Sequence, residues 1–227
     1  MTAFERFGGT IFFVVYLLLL PVAAGPLFDW AQALWGQRIG ANLRGAVYYY
    51  GLVAVTVLIF HSLLARTTRR LTEAPAEAGK TVLIGVIGMY GLNELVYRLT
   101  RGLAPERANL NDGAVTYQLD GAPHMTLLIV LLLAPFVEEV LFRGLVFGGI
   151  RERTRLGAYA ASCALFALLH VWQFAVVNRD LTYFLVMLQY LVPGVVLAWA
   201  YEHTGTLWAS IGVHAAVNAV SLLSMTK

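Results

Sequence analysis

Cysteine is nearly missing from these 227 residues: Cys163 stands alone. That excludes an internal disulfide framework and any multi-cysteine metal site. Charge is scarce as well. Asp, Glu, Lys and Arg make up 13% of the chain, against about 25% in an ordinary soluble domain. Hydrophobic residues reach 59%, and the mean hydropathy is +0.70. A soluble fold of this length cannot hide so much apolar surface, so water is not its main solvent. Disorder is excluded too, because it needs low hydrophobicity and high net charge. The net charge of +3 comes with no basic patch and no nucleic-acid motif, so nucleic acid is not an expected partner. Basic loops of a multi-pass membrane protein account for the balance better. Internal repeats and low-complexity tracts are also lacking. Residues 1–227 read as a single integral-membrane domain, with a motif-bearing core at about 125–225.

What the chain does have is long apolar runs. A spanning helix needs about 20 mostly apolar residues. Seven stretches qualify: about Thr10–Ala24, Gly45–Leu64, Thr81–Leu99, Met125–Ile150, Leu156–Phe174, Tyr183–Tyr201 and Thr206–Met225. The segment Pro26–Ile39, with Trp30 and Trp35, reads either as a short interfacial helix or as part of an eighth, broken span. These runs are continuous rather than alternating, which argues against a membrane barrel. Only helices and closed barrels satisfy their backbone groups in lipid. The expected fold is therefore all-α, a polytopic transmembrane helical bundle of about seven to eight spans. The start of the chain, ending at Val22-Ala23-Ala24, resembles a signal peptide. Six further spans favour an uncleaved first helix. Thr67–Gly79 and Thr100–Pro123 read as connectors. With seven spans, the arginines at 66, 69, 70, 151, 153 and 155 share a side with the N-terminus, and that side is expected to be cytoplasmic.

Ionisable side chains at mid-bilayer cost at least about 2.5–3.5 kcal/mol each on insertion scales. The fourth run places three within six residues: Glu138, Glu139 and Arg143. Glu139 and Arg143 are i and i+4, so they share a helix face and can pair. Glu138 is rotated by about 100° from Glu139, which turns it away from that pair and toward the bundle interior. A carboxylate there can serve as a general base. Pro135 removes one helical hydrogen bond just before the cluster and is expected to kink the helix. Gly144 and Gly148 form a small-xxx-small pair, read as packing. The fifth run carries Phe166-x-x-x-His170. The seventh carries His214-x-x-x-Asn218, whose side chains project from one face. One Glu, two His and one Asn are thus available to a single cavity. By contrast, His61, His124 and His203 read as solvated, Glu94–Arg98 as a structural pair, Cys163 as packing, and Tyr48–Tyr50 with Trp208 as interfacial aromatics.

Three motifs now stand in order. They are Ala134-Pro135-Phe136-Val137-Glu138-Glu139-Val140-Leu141-Phe142-Arg143-Gly144, Phe166-x-x-x-His170 and His214-x-x-x-Asn218. Together they resemble the CPBP intramembrane proteases, which include type II CAAX prenyl endopeptidases and the bacterial Abi proteins. The resemblance implies a helical membrane protease whose site lies within the bilayer. It implies that Glu138 activates water together with His170, and that His214 and Asn218 stabilise the oxyanion. Glu139 and Arg143 then hold the arrangement. The expected substrate is a membrane-associated or prenylated protein or peptide, the other partner is lipid, and the expected location is a bacterial-type cytoplasmic membrane.

Metal dependence stays open at this level. Glu138, His170 and His214 could bind Zn²⁺ as two imidazoles and one carboxylate. His-Glu-x-x-His is lacking, and no second carboxylate is free to act as base if Glu138 binds metal. No cofactor is therefore favoured. Two other function classes fit the same residues. One is a non-proteolytic binding or scaffold protein of the same family, and the other is a proton- or cation-coupled carrier.

Overall fold

The computed structural model of the chain describes residues 1–100, 115, 116, 118, 119 and 121–225. Most of the expected connector Thr100–Pro123 lies outside the described residues. Among the described residues there is no strand, and seven long helices follow one another. These are α1 Ala3–Trp35, α2 Ala41–Glu73, α3 Pro75–Thr100, α4 Pro123–Arg151, α5 Arg155–Asn178, α6 Leu181–Thr204 and α7 Leu207–Met225. Five of them, α1, α2, α4, α5 and α6, are long and apolar enough to cross a membrane, and Leu207–Leu223 is a shorter apolar helix. The protein is an integral-membrane, all-α bundle.

Two boundaries differ from the sequence reading. Pro26–Trp35 is neither a separate interfacial helix nor a broken span; it continues the first helix, which ends at Gly36 in the left-handed region (φ 68°). Thr67–Gly79 is not a connector. α2 runs on to Glu73 and α3 begins at Pro75, so Ala74 alone separates them. Arg66, Arg69 and Arg70 are exposed on the last turns of α2, and proline is at home in a helix's first turn.

α4 lies at the centre. Its most apolar stretch is 61% buried, against 39% or less for the four other candidate spans. α1, α2, α5, α6 and α7 all pack against it. Large side chains such as Leu58, Leu83, Ile87 and Leu156 are exposed on the outside, as expected where the solvent is lipid.

One end of the bundle gathers alternate helix ends. Arg6 pairs with Glu152 at 3.1 Å. Glu202 pairs with Arg151 at 2.5 Å and Arg155 at 2.9 Å. Thr206 donates to the Thr67 carbonyl at 2.8 Å. The N-terminus and the C-terminal ends of α2, α4 and α6 therefore share this side.

α1 is locked to α2 by a buried carboxylate. Thr2 and Glu5 form a capping box at the start of α1. Glu5 is fully buried, and its other oxygen accepts the Leu63 N–H at 2.6 Å. That donor is released because α2 leaves helical geometry at Phe60 (φ −103°, ψ 21°). A side chain inserted into the hydrogen-bond ladder is a recognised cause of a helix kink.

α7 is seated on α3 by reciprocal close approaches. A Cβ on Gly85 would lie 2.7 Å from Val213, and one on Gly212 would lie 2.9 Å from Val82. Residues 212 and 213 immediately precede His214, so this crossing sets the imidazole's depth.

Candidate active site

Proline shapes α4 just before its acidic pair. The Ala134 N–H bonds the Ile129 carbonyl across a wide π turn, Ile129–Leu133. Pro135 follows and has no N–H to give. The Val130 carbonyl is thereby left without a donor from the next turn. Asn218 of α7 supplies one, with Nδ2 at 2.8 Å. The expected irregularity at Pro135 is thus a π turn, and a distant amide completes it. A second π segment, Val140–Phe147, follows the acidic pair. Such insertions concentrate at functional positions.

Glu139 and Arg143 form the expected pair, both fully buried, with Nε 3.2 Å from Oε2. Arg143 also donates to Glu139 Oε1 at 3.2 Å and to the Gly194 carbonyl at 3.3 Å. Its guanidinium lies 4.5 Å from the centre of the Phe166 ring. The carboxylate does more than balance this charge. Glu139 Oε1 accepts from His214 Nδ1 at 2.9 Å, and Ser210 Oγ donates to Glu139 Oε2. One carboxylate therefore joins α4 to two positions on α7. Ser210 was not singled out by its sequence, because a serine in an apolar run is ordinary.

Glu138 is turned the other way. It is 9% exposed. Oε1 lies 3.5 Å from Tyr16 Oη on α1. Oε2 is buried with no hydrogen-bond partner and lies 4.0 Å from His214 Nε2. His170 on α5 has Nδ1 2.9 Å from the Phe166 carbonyl. A carbonyl only accepts, so Nδ1 carries hydrogen and Nε2 is left as the acceptor in the neutral ring. The ring is held between Phe166, at 4.7 Å, and Tyr190, stacked at 4.5 Å.

Glu138, His170, His214 and Asn218 all line one cavity of about 240 Å³. Tyr49 lines it as well, which corrects its reading as an interfacial aromatic. An adjoining cavity of about 520 Å³ shares Tyr49, Gln118 and Ile129 with the first. The remaining histidines stay outside. His61, His124 and His203 are exposed, with His203 stacked on Trp199 at 5.3 Å. Glu94 and Arg98 form an exposed pair at 2.6 Å. Cys163 is buried beside Gly194.

Among the described residues no group of three or more His, Cys, Asp or Glu side chains is arranged to hold a metal ion. Glu138, His170 and His214 share a wall without forming such a set. What the arrangement offers is an unpartnered carboxylate oxygen, a neutral-ring acceptor, an imidazole braced by a carboxylate, and an amide with one N–H still to give.

Comparison with known proteins agrees with the motifs. Residues 121–220 match the family described as Type II CAAX prenyl endopeptidase Rce1-like. The chain is 24% identical over 208 residues to a Bacillus subtilis (strain 168) protein named "Putative membrane peptidase YdiL", covering 87% of this chain and 79% of that one. No solved structure matches. The resemblance carried by Glu138-Glu139, His170 and His214 with Asn218 is thus matched across residues 121–220 by the Rce1-like family of CAAX-type membrane peptidases.

Proposed function

We propose that this protein hydrolyses a peptide bond of a membrane-associated or prenylated protein or peptide, using a water activated by Glu138 without a metal ion. The observation that carries this is Glu138 Oε2. It is buried, has no hydrogen-bond partner, and lies on the wall of the cavity that His170, His214 and Asn218 also line. A carboxylate oxygen so placed is a strong acceptor for a water proton.

In this mechanism a water bonds Glu138 Oε2 and His170 Nε2. Glu138 takes its proton as the oxygen attacks the scissile carbonyl carbon. The carbonyl π electrons move to oxygen, giving a tetrahedral oxyanion. Asn218 donates to it through the second N–H of an amide whose first N–H is fixed on Val130. His214 gives Nδ1–H to Glu139, and in its doubly protonated form it donates to the oxyanion from Nε2 as well. Collapse of the oxyanion expels the amine, and Glu138 returns the proton to it. Donors fixed in advance on a developing oxyanion are each worth about 2.7–4 kcal/mol of barrier. Here α4 and α7 fix them.

The adjoining cavity of about 520 Å³ gives an apolar part of the substrate a place beside the scissile bond. The Bacillus subtilis relative supports a bacterial-type cytoplasmic membrane as the location. The test compares protein termini in cells carrying wild type and Glu138→Gln. Candidates are then cleaved with purified protein, with and without chelator. New termini that need Glu138 and form in chelator support the proposal. Activity lost in chelator and restored by zinc overturns the metal-free mechanism. Identical termini in the two strains overturn the peptidase.

A further inference from the structure

Tyr16 lies outside the matched residues 121–220, and none of the three motifs points to it. It is 7% exposed, and its phenol oxygen is 3.5 Å from Glu138 Oε1. Among the described residues this is the hydrogen bond that Glu138 receives, and it falls on one oxygen only. Oε2 has none.

The local backbone repeats the construction seen in α4. In α1 the Leu20 N–H bonds the Val15 carbonyl across the π turn Val15–Leu19, and Pro21 follows. In α4 the Ala134 N–H bonds the Ile129 carbonyl, and Pro135 follows. Tyr16 and Val130 hold equivalent places in the two turns. Val130 fixes Asn218 by its carbonyl, while Tyr16 reaches Glu138 by its side chain. Phe13, one turn earlier on α1, meets Phe142 of α4 edge to face at 5.3 Å. That contact holds α1 against the helix that carries Glu138.

We infer that Tyr16 is a positioning residue for Glu138: its phenol donates to Oε1 and leaves Oε2 as the oxygen presented to the cavity. A carboxylate with two equivalent free oxygens can rotate about its terminal torsion, which is broad. A donor on one oxygen removes that freedom. The kinetic consequence rests on the peptidase reading; the contact itself does not.

The test uses the full chain in lipid nanodiscs as wild type, Tyr16→Phe, Tyr50→Phe and Glu138→Gln. The carboxyl infrared band that Glu138→Gln removes reports Glu138 without any turnover. This band is displaced in Tyr16→Phe and stays in place in Tyr50→Phe, since Tyr50 is exposed. With an internally quenched farnesylated peptide, Tyr16→Phe lowers kcat about tenfold at unchanged KM, as expected for losing one modest hydrogen bond to a charged group. A band at the wild-type position in Tyr16→Phe overturns the inference whatever the peptide does. A wild-type kcat in Tyr16→Phe overturns the positioning role. A displaced band in a wild type and variant set that cleaves nothing supports the contact and sinks the peptidase reading instead. Should Tyr16→Phe not fold, wild type labelled with 3-fluorotyrosine gives the second measurement: its Glu138 band moves, or the inference fails.

Discussion

His214 Nδ1 lies 2.9 Å from Glu139 Oε1, so the carboxylate next to the proposed base braces an imidazole on the last helix. Arg143 and Ser210 meet the same carboxylate. Removing Arg143 alone leaves Glu139 buried without its cation, which costs about 3–5 kcal/mol for a broken buried pair. Arg143→Met should therefore lower the melting temperature sharply in nanodiscs. The double variant Glu139→Met/Arg143→Met should recover much of that loss, because no lone charge remains. It should not recover cleavage, because His214 has lost its brace. Full activity in the double variant would show that Glu139 serves stability alone.

Asn218 has two N–H groups, and Val130 uses one. Asn218→Ala removes the second along with the first, and kcat should fall by about 10²–10³ if that donor serves an oxyanion. Pro135→Ala makes a sharper probe. It restores a backbone N–H that can bond Val130 and release the amide. Cleavage should drop while the melting temperature holds or rises. Unchanged cleavage in Pro135→Ala would mean that the π turn does not position Asn218.

His170 is clamped by Phe166 and Tyr190, with Nε2 free to accept. His170→Ala should lower kcat by about 10²–10⁴, the usual contribution of a group assisting proton transfer. The comparison is a steady-state assay beside a melting curve. A kcat loss below about tenfold, against that range, would confine His170 to packing.

Glu5 accepts the Leu63 N–H where α2 kinks. Glu5→Ala orphans that buried donor, at a cost of about 1–3 kcal/mol. Thermal unfolding of the variant should show the loss. Wild-type stability would mean that the kink satisfies itself.

The six motif residues were legible because a charge or an amide in an apolar run needs a compensating reason, and there are few reasons. Glu139 with Arg143 followed from helical spacing alone. Tyr16, Tyr49 and Ser210 were hidden because tyrosine and serine are ordinary in membrane helices. Only the crossing of α1 and α2 over α4 brings the two tyrosines to the site. Glu5 was not singled out in the sequence, because the donor its second oxygen accepts depends on a kink 55 residues later. The continuity of α1 through Pro26 was hidden for a different reason. Gly25-Pro26 reads as a break, yet a helix in a low-dielectric surround holds its hydrogen bonds through such a pair. An irregularity at Pro135 was expected as a kink and is found as a π turn, because an α turn and a π turn differ by one hydrogen bond that no side-chain pattern encodes.

The central claim is that Glu138 is the base. Its most direct measurement is cleavage of an internally quenched farnesylated peptide by purified protein in nanodiscs, wild type beside Glu138→Gln, with matched melting curves and chelator throughout. The account predicts robust turnover by wild type and none above background by a Glu138→Gln protein that melts as wild type does. Turnover by that folded variant at the wild-type rate would contradict it.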